Sequence, residues 1–123
     1  LVADHPLARL EAMLAAHVDF VIASPGVPRI LFGELQRAGD TPTKAIVRDL
    51  MAGYRARVAR ELSAARDAGE IAAGTDVDAA TVMFLAMVQG LVMQALAVDD
   101  FSAMPALARR LFGLFRQGLG EVP

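Results

Sequence analysis

The chain has no cysteine and no tryptophan, and its 123 residues include only one tyrosine and two histidines. Without thiols there are no disulfides and no thiolate metal sites, and a reducing cytoplasm is the natural setting. Two histidines cannot form a metal cluster by themselves, and neither a Glu-x-x-His pair nor a His-Glu-x-x-His motif is present. No glycine-rich loop follows a strand, so nothing cradles a phosphate. A turn, a helix surface and a helix cap account for Ser24, Ser63 and Ser102. No catalytic residue, metal or cofactor is therefore expected, and the chain is not expected to be an enzyme. A net charge of −2 and a pI near 5.6 argue against nucleic-acid binding by this piece alone. The first residues, LVADHPLARLEAM, carry charges too early and too often for a signal sequence. Leu1 is not Met, so a processed or excised piece is expected.

What is abundant is apolar surface. Hydrophobic residues make up 55% of the chain, high for a soluble monomer, and this favours surface buried by association. The stretch Ala79 to Val98 runs twenty residues without a charge, between Asp76 and Asp78 on one side and Asp99 and Asp100 on the other. That length would cross a bilayer as a helix. Its flanks are acidic, no Lys or Arg stands near either end, and no Tyr or Trp marks an interface. Two Gln and a Thr lie inside it, each costly in lipid. The expectation is a helix covered by protein, with no membrane involved.

This helix has two apolar faces. Phe84, Leu85, Val88, Leu91, Val92 and Ala95 suit a core, while Ala79, Met83, Ala86, Gly90, Met93 and Ala97 recur at steps of 4, 3, 4, 3, 4. That is heptad spacing, and its small residues admit a second helix backbone at close range. Gly90 costs about 1 kcal/mol relative to Ala inside a helix, which is consistent with such an approach. A chain this short covers one face well, so the small-residue face is assigned to a second copy of the chain.

Around this element the sequence predicts an all-α, single-domain chain of five helices over residues 1–123. His5-Pro6 opens the first helix with Asp4 as a plausible cap, and Ser24-Pro25-Gly26 ends it. Leu7, Leu10, Leu14, His17 and Val21 form its inward stripe, with Met13, Val18 and Phe20 alongside. A short helix is expected from Arg29 to Ala38, started by Pro28 and closed by Gly39. Thr41-Pro42 begins a long helix to about Ala68, stopped by Gly69, with Val47, Met51, Tyr54, Val58, Leu62 and Ala65 on one face. Asp76 caps the central helix, and Ser102 caps a last helix from Ala103 to about Leu119. On that helix Leu107, Leu111, Leu114 and Gly118 repeat, with Phe112 and Phe115 beside them and Arg109, Arg110, Arg116 and Gln117 on the wet side. No strand-like alternation, low-complexity run or internal repeat is present.

Several residues admit a binding role beside a structural one. His17 is a core histidine bonded to a carbonyl, or a neutral imidazole facing a ligand. Tyr54 packs in the core, where its hydroxyl needs a partner, or touches a ligand. Phe20, Phe32 and Met51 are plain core, or walls of a hydrophobic cavity. Arg48 and Arg55 are read as solvated charges, with neutralisation of an acidic ligand as the alternative.

The order PRILFGE from Pro28 to Glu34, a long helix ending GEIAAGTD, then VMFLAMVQGLVMQAL and LARRLFGLFRQGL resembles the C-terminal half of TetR-family transcriptional regulators. Gln89-Gly90-Leu91 resembles a triplet common in the family's penultimate helix, and Leu111-Phe112 with Gly118-Leu119 resembles the close of its final helix. The resemblance spans essentially the whole chain, each motif weak alone and the order carrying the likeness. It implies a homodimer whose last two helices form a four-helix bundle with the partner's pair. The interface would use the Ala79–Ala97 stripe together with Leu107, Leu111, Leu114 and Gly118. It also implies a pocket for a small hydrophobic effector, with Phe20, Phe32, Met51, Tyr54, Phe84 and Val88 as walls and His17 as the orienting polar group. DNA would be bound only through an N-terminal helix-turn-helix domain that this chain lacks. The alternative is a helical dimerisation module that binds no ligand.

Overall fold

The computed structural model describes residues 5–121 and contains five α-helices, with no strand among the described residues. They are α1 (Pro6–Ala23), α2 (Gly26–Leu35), α3 (Pro42–Asp67), α4 (Val77–Val98) and α5 (Met104–Gly118). The all-helical reading therefore holds.

Local chemistry explains most of the boundaries. At α3 the Thr41 hydroxyl accepts from the Lys44 N–H at 3.1 Å, and Pro42 follows in the first turn, where its missing N–H costs nothing. The far end closes as a Schellman motif. The Glu70 N–H donates to the Ala65 carbonyl at 2.9 Å, the Gly69 N–H to that of Arg66 at 3.1 Å, and Gly69 takes φ +77. Asp76 Oδ1 accepts from the Ala79 N–H at 3.0 Å and opens α4. The other end of α4 uses Asp99 where glycine is usual, at φ 53, a conformation Asp tolerates better than most side chains.

Three expectations need correction. The second helix spans Gly26–Leu35 rather than Arg29–Ala38, so Pro28 sits inside its first turn instead of before it. Past Leu35 the chain leaves the helix, and Glu34 accepts from the Thr41 hydroxyl at 2.6 Å across the turn. Ser102 does not cap α5: its N–H and hydroxyl both donate to Asp100 Oδ1, at 2.9 and 2.7 Å, forming a turn ahead of the helix. Arg116 is not a merely solvated charge. Its Nε donates to Glu121 at 2.8 Å, Glu11 lies 3.5 Å away, and its guanidinium sits 5.7 Å from the centroid of the Phe112 ring. The proposed Asp4 cap lies outside the described residues. The α1 N-terminus instead receives a distant carboxylate, Glu70 Oε1, which accepts from the Leu7 N–H at 3.1 Å.

The core forms where α1, α3, α4 and α5 meet, with α2 leaning on α3. Leu10, Leu14, Val58, Leu62, Phe84 and Phe112 are fully enclosed there. Aromatic rings run through it in sequence. His17 meets Tyr54 edge-on at 5.6 Å, Tyr54 stacks on Phe84 at 6.4 Å, Phe84 meets Phe115 at 5.8 Å, and Phe115 meets Phe112 at 5.9 Å. Such pairs contribute about 0.5–1.5 kcal/mol each beyond their buried area.

The core covers one side of α4 only. Phe84, Val88, Leu91, Val92 and Ala95 are buried, as expected of the larger-residue face. Val77–Val98 is long and apolar enough to cross a bilayer, yet a core helix of this kind meets the same description. On its other side Ala79, Ala86 and Ala97 are exposed, Met83 is 57% exposed and Gly90 is half-buried. The α5 stripe continues this surface type, with Leu114 66% exposed, Gly118 exposed, and Leu107 and Leu111 partly so. Phe112 and Phe115 turn inward with Met104 and Ala108.

Candidate functional site

Helices α1 to α4 line an apolar, partly open cavity of about 300 Å³. α1 contributes His17, α2 Leu31, α3 Val47, Leu50, Met51 and Tyr54, and α4 Leu85, Val88 and Gln89. A second lobe of about 230 Å³ shares His17, Leu31, Val47, Met51, Val88 and Gln89 with the first, and extends it towards Phe32 and Val92. Neither lobe has a charged side chain in its lining. The dimensions reach the lower range of small-molecule sites, which are mostly apolar with few polar groups.

The walls follow from helix periodicity. Val47, Met51 and Tyr54 lie at steps of four and three on α3, and Leu85 with Val88 or Gln89 does the same on α4. Two polar groups in the wall are sheltered, the Tyr54 hydroxyl fully and His17 in part. The Tyr54 hydroxyl is shielded from solvent and has no hydrogen-bond partner among the described residues. Burial pushes its pKa above the ordinary tyrosine value, with the nearby Arg57 charge acting in the opposite sense. Burial likewise lowers the His17 pKa, so the imidazole is held neutral.

The expected site residues sort into three places. His17, Met51, Tyr54 and Val88 line the main lobe, and Phe32 lines the second. Phe20, 51% exposed, faces a neighbouring cleft with Met13, Ala16 and Arg57, which shares only His17 and Tyr54 with the main lobe. Phe84 is fully enclosed and stacks on Tyr54 without lining either lobe. Leu31, Val47, Leu50, Leu85 and Gln89 line the cavity as well, beyond the walls that the sequence predicts. For Gln89 a signal existed, since it is a polar side chain within an uncharged run.

The arginines stay outside. Arg48 is exposed and pairs with Asp40 at 3.0 Å, and Arg55 is exposed on α3, so the solvated reading of both fits. Among the described residues no group of three His, Cys, Asp or Glu side chains is placed to hold a metal ion.

Among curated proteins and solved structures, none matches this chain. A family model does: the one described as "Tetracyclin repressor-like, C-terminal domain" matches residues 32–112, from α2 to the middle of α5. With roughly two thirds of its length matched, and with the all-helical architecture above, the chain belongs to the tetracycline repressor-like C-terminal domain family.

Proposed function

We propose that this domain binds a small, mostly hydrophobic effector between α1, α2, α3 and α4, and dimerises through α4 and α5. Binding would thereby control a DNA-binding domain N-terminal to it. Domains of this family generally serve regulators in these two ways. The observation that carries the reading is the uncharged cavity, whose polar groups include the buried Tyr54 hydroxyl and the part-buried His17. The stripe from Ala79 to Ala97, continued by Leu107, Leu111, Leu114 and Gly118, supports the dimer, because the described residues leave most of it uncovered. An effector shifts the regulator only if it prefers one helix arrangement to another, and a pocket walled by four helices allows that difference.

A panel of uncharged hydrophobic compounds, followed by thermal unfolding, tests the pocket. Occupancy raises the melting midpoint with ligand concentration. Met51 lines both lobes and is partly exposed, so Met51→Trp fills the cavity and should abolish the shift. If no compound stabilises the protein, it is a dimerisation module without a ligand.

A further inference from the structure

The geometry points to an effector that carries no net charge and presents one hydrogen-bond acceptor, a carbonyl or ether oxygen, to the Tyr54 hydroxyl. This deepens the pocket reading above and rests on it. The Tyr54 oxygen is buried without a partner, an arrangement that costs free energy in the empty protein. A ligand acceptor removes that cost, whereas a purely hydrocarbon ligand does not. A tyrosine hydroxyl is protonated at neutral pH and so has a proton to donate, and burial only raises its pKa further.

Charge is selected against by what surrounds the cavity. An ion in either lobe would lose part of its hydration and meet no charged side chain among the described lining residues, the Arg57 charge acting on Tyr54 only from the neighbouring cleft. The two arginines that were candidates for pairing an acid are exposed, Arg48 already paired to Asp40. Arg57 lines the neighbouring cleft, not either lobe. Burial lowers the His17 pKa and so disfavours the imidazolium that a carboxylate would need beside it. A cationic ligand fares no better, because no Asp or Glu lines either lobe. Gln89, exposed at the rim, offers an uncharged amide to a second polar atom.

Four probes of similar size separate the possibilities: butyrophenone, n-butylbenzene, 4-phenylbutyrate and 4-phenylbutylammonium. Each is titrated at neutral pH into the full chain and into Tyr54→Phe, by calorimetry and thermal unfolding. Butyrophenone should bind tightest, with each ionic probe on the order of 100-fold weaker, as unpaired charge burial requires. Tyr54→Phe should weaken butyrophenone by about five- to tenfold, one net hydrogen bond, and leave n-butylbenzene unchanged. If either ionic probe binds as tightly as the ketone, or Tyr54→Phe leaves the ketone unaffected, the ligand class is wrong while the pocket stands. If none of the four binds, or binding survives Met51→Trp, the pocket reading falls together with it.

Discussion

Gly90 should respond in opposite directions to one substitution, depending on whether the α4 stripe meets a partner. A Cβ built at Gly90 meets only the Gln94 amide nitrogen, at 4.0 Å, so the protomer itself leaves room for a side chain. In an isolated protomer, replacing this glycine therefore adds helix propensity, about 1 kcal/mol for Ala and nearly as much for Leu. In a dimer the same position sits in a stripe of small residues, where the added side chain must displace a facing helix. Overpacking of that kind costs about 1–3 kcal/mol per site. A two-fold interface repeats each site, so Gly90→Leu should weaken the dimer by about 2–6 kcal/mol. At 1.4 kcal/mol per tenfold, the dissociation constant rises between about 30-fold and on the order of 10⁴-fold. Sedimentation equilibrium over a range of concentrations reads the dimer, and urea unfolding at low concentration reads the protomer. The expected result is a weaker dimer built from a slightly more stable protomer. A wild-type chain that stays monomeric at high concentration, or a Gly90→Leu dimer of unchanged affinity, refutes the assignment of this face.

Tyr54→Phe should raise the melting midpoint of the unliganded protein, since it deletes a buried hydroxyl with no partner. A gain near 1 kcal/mol corresponds to about 3–6 °C for a domain of this size, and a lowered midpoint would show the hydroxyl is satisfied. Glu70→Ala removes the carboxylate that receives the Leu7 N–H and should cost about 1 kcal/mol, read as a lower urea midpoint at constant slope. Glu70→Gln, which keeps an acceptor oxygen, should recover part of that loss. The folded state holds His17 below its ordinary pKa, so the unfolded chain binds more protons there. Its contribution is therefore constant above the unfolded value of about 6.5, and stability falls as the pH drops through it, levelling off below the folded pKa. In His17→Gln that segment of the pH–stability profile should flatten.

Features set by neighbours in sequence were legible before any coordinates. The Thr41 and Asp76 caps, the Gly69 stop and the two faces of α4 depend on side chains within a turn or two of where they act. The exceptions share a cause, competition from a group the local pattern does not rank. Pro25 and Pro28 are both acceptable near a helix start, so the pattern could not choose between them, and α2 begins two residues ahead of Pro28. Asp100 claims the Ser102 hydroxyl before it can reach α5. Glu70 reaches the start of α1 from 63 residues away, beyond any local reading. The pocket divides in the same way. Met51 and Tyr54 follow from the α3 face, whereas Leu31 and Leu50 join the wall where α2 packs against α3, a contact no local pattern specifies. Phe84 satisfied the spacing for a wall, but it is fully enclosed in the core, where it stacks on the wall residue Tyr54.

With no tryptophan present, Tyr54 is the sole strong ultraviolet emitter in the chain, and it stands in the cavity wall with its ring edge-on to His17. Tyrosine emission thus arises from one known position, with no label attached and only the weaker emission of phenylalanine beside it. Protonation of the neighbouring imidazole, a change in polarity around the ring or entry of a guest would each alter that single signal. The wild-type protein is its own spectroscopic gauge of what occupies the space beside this ring.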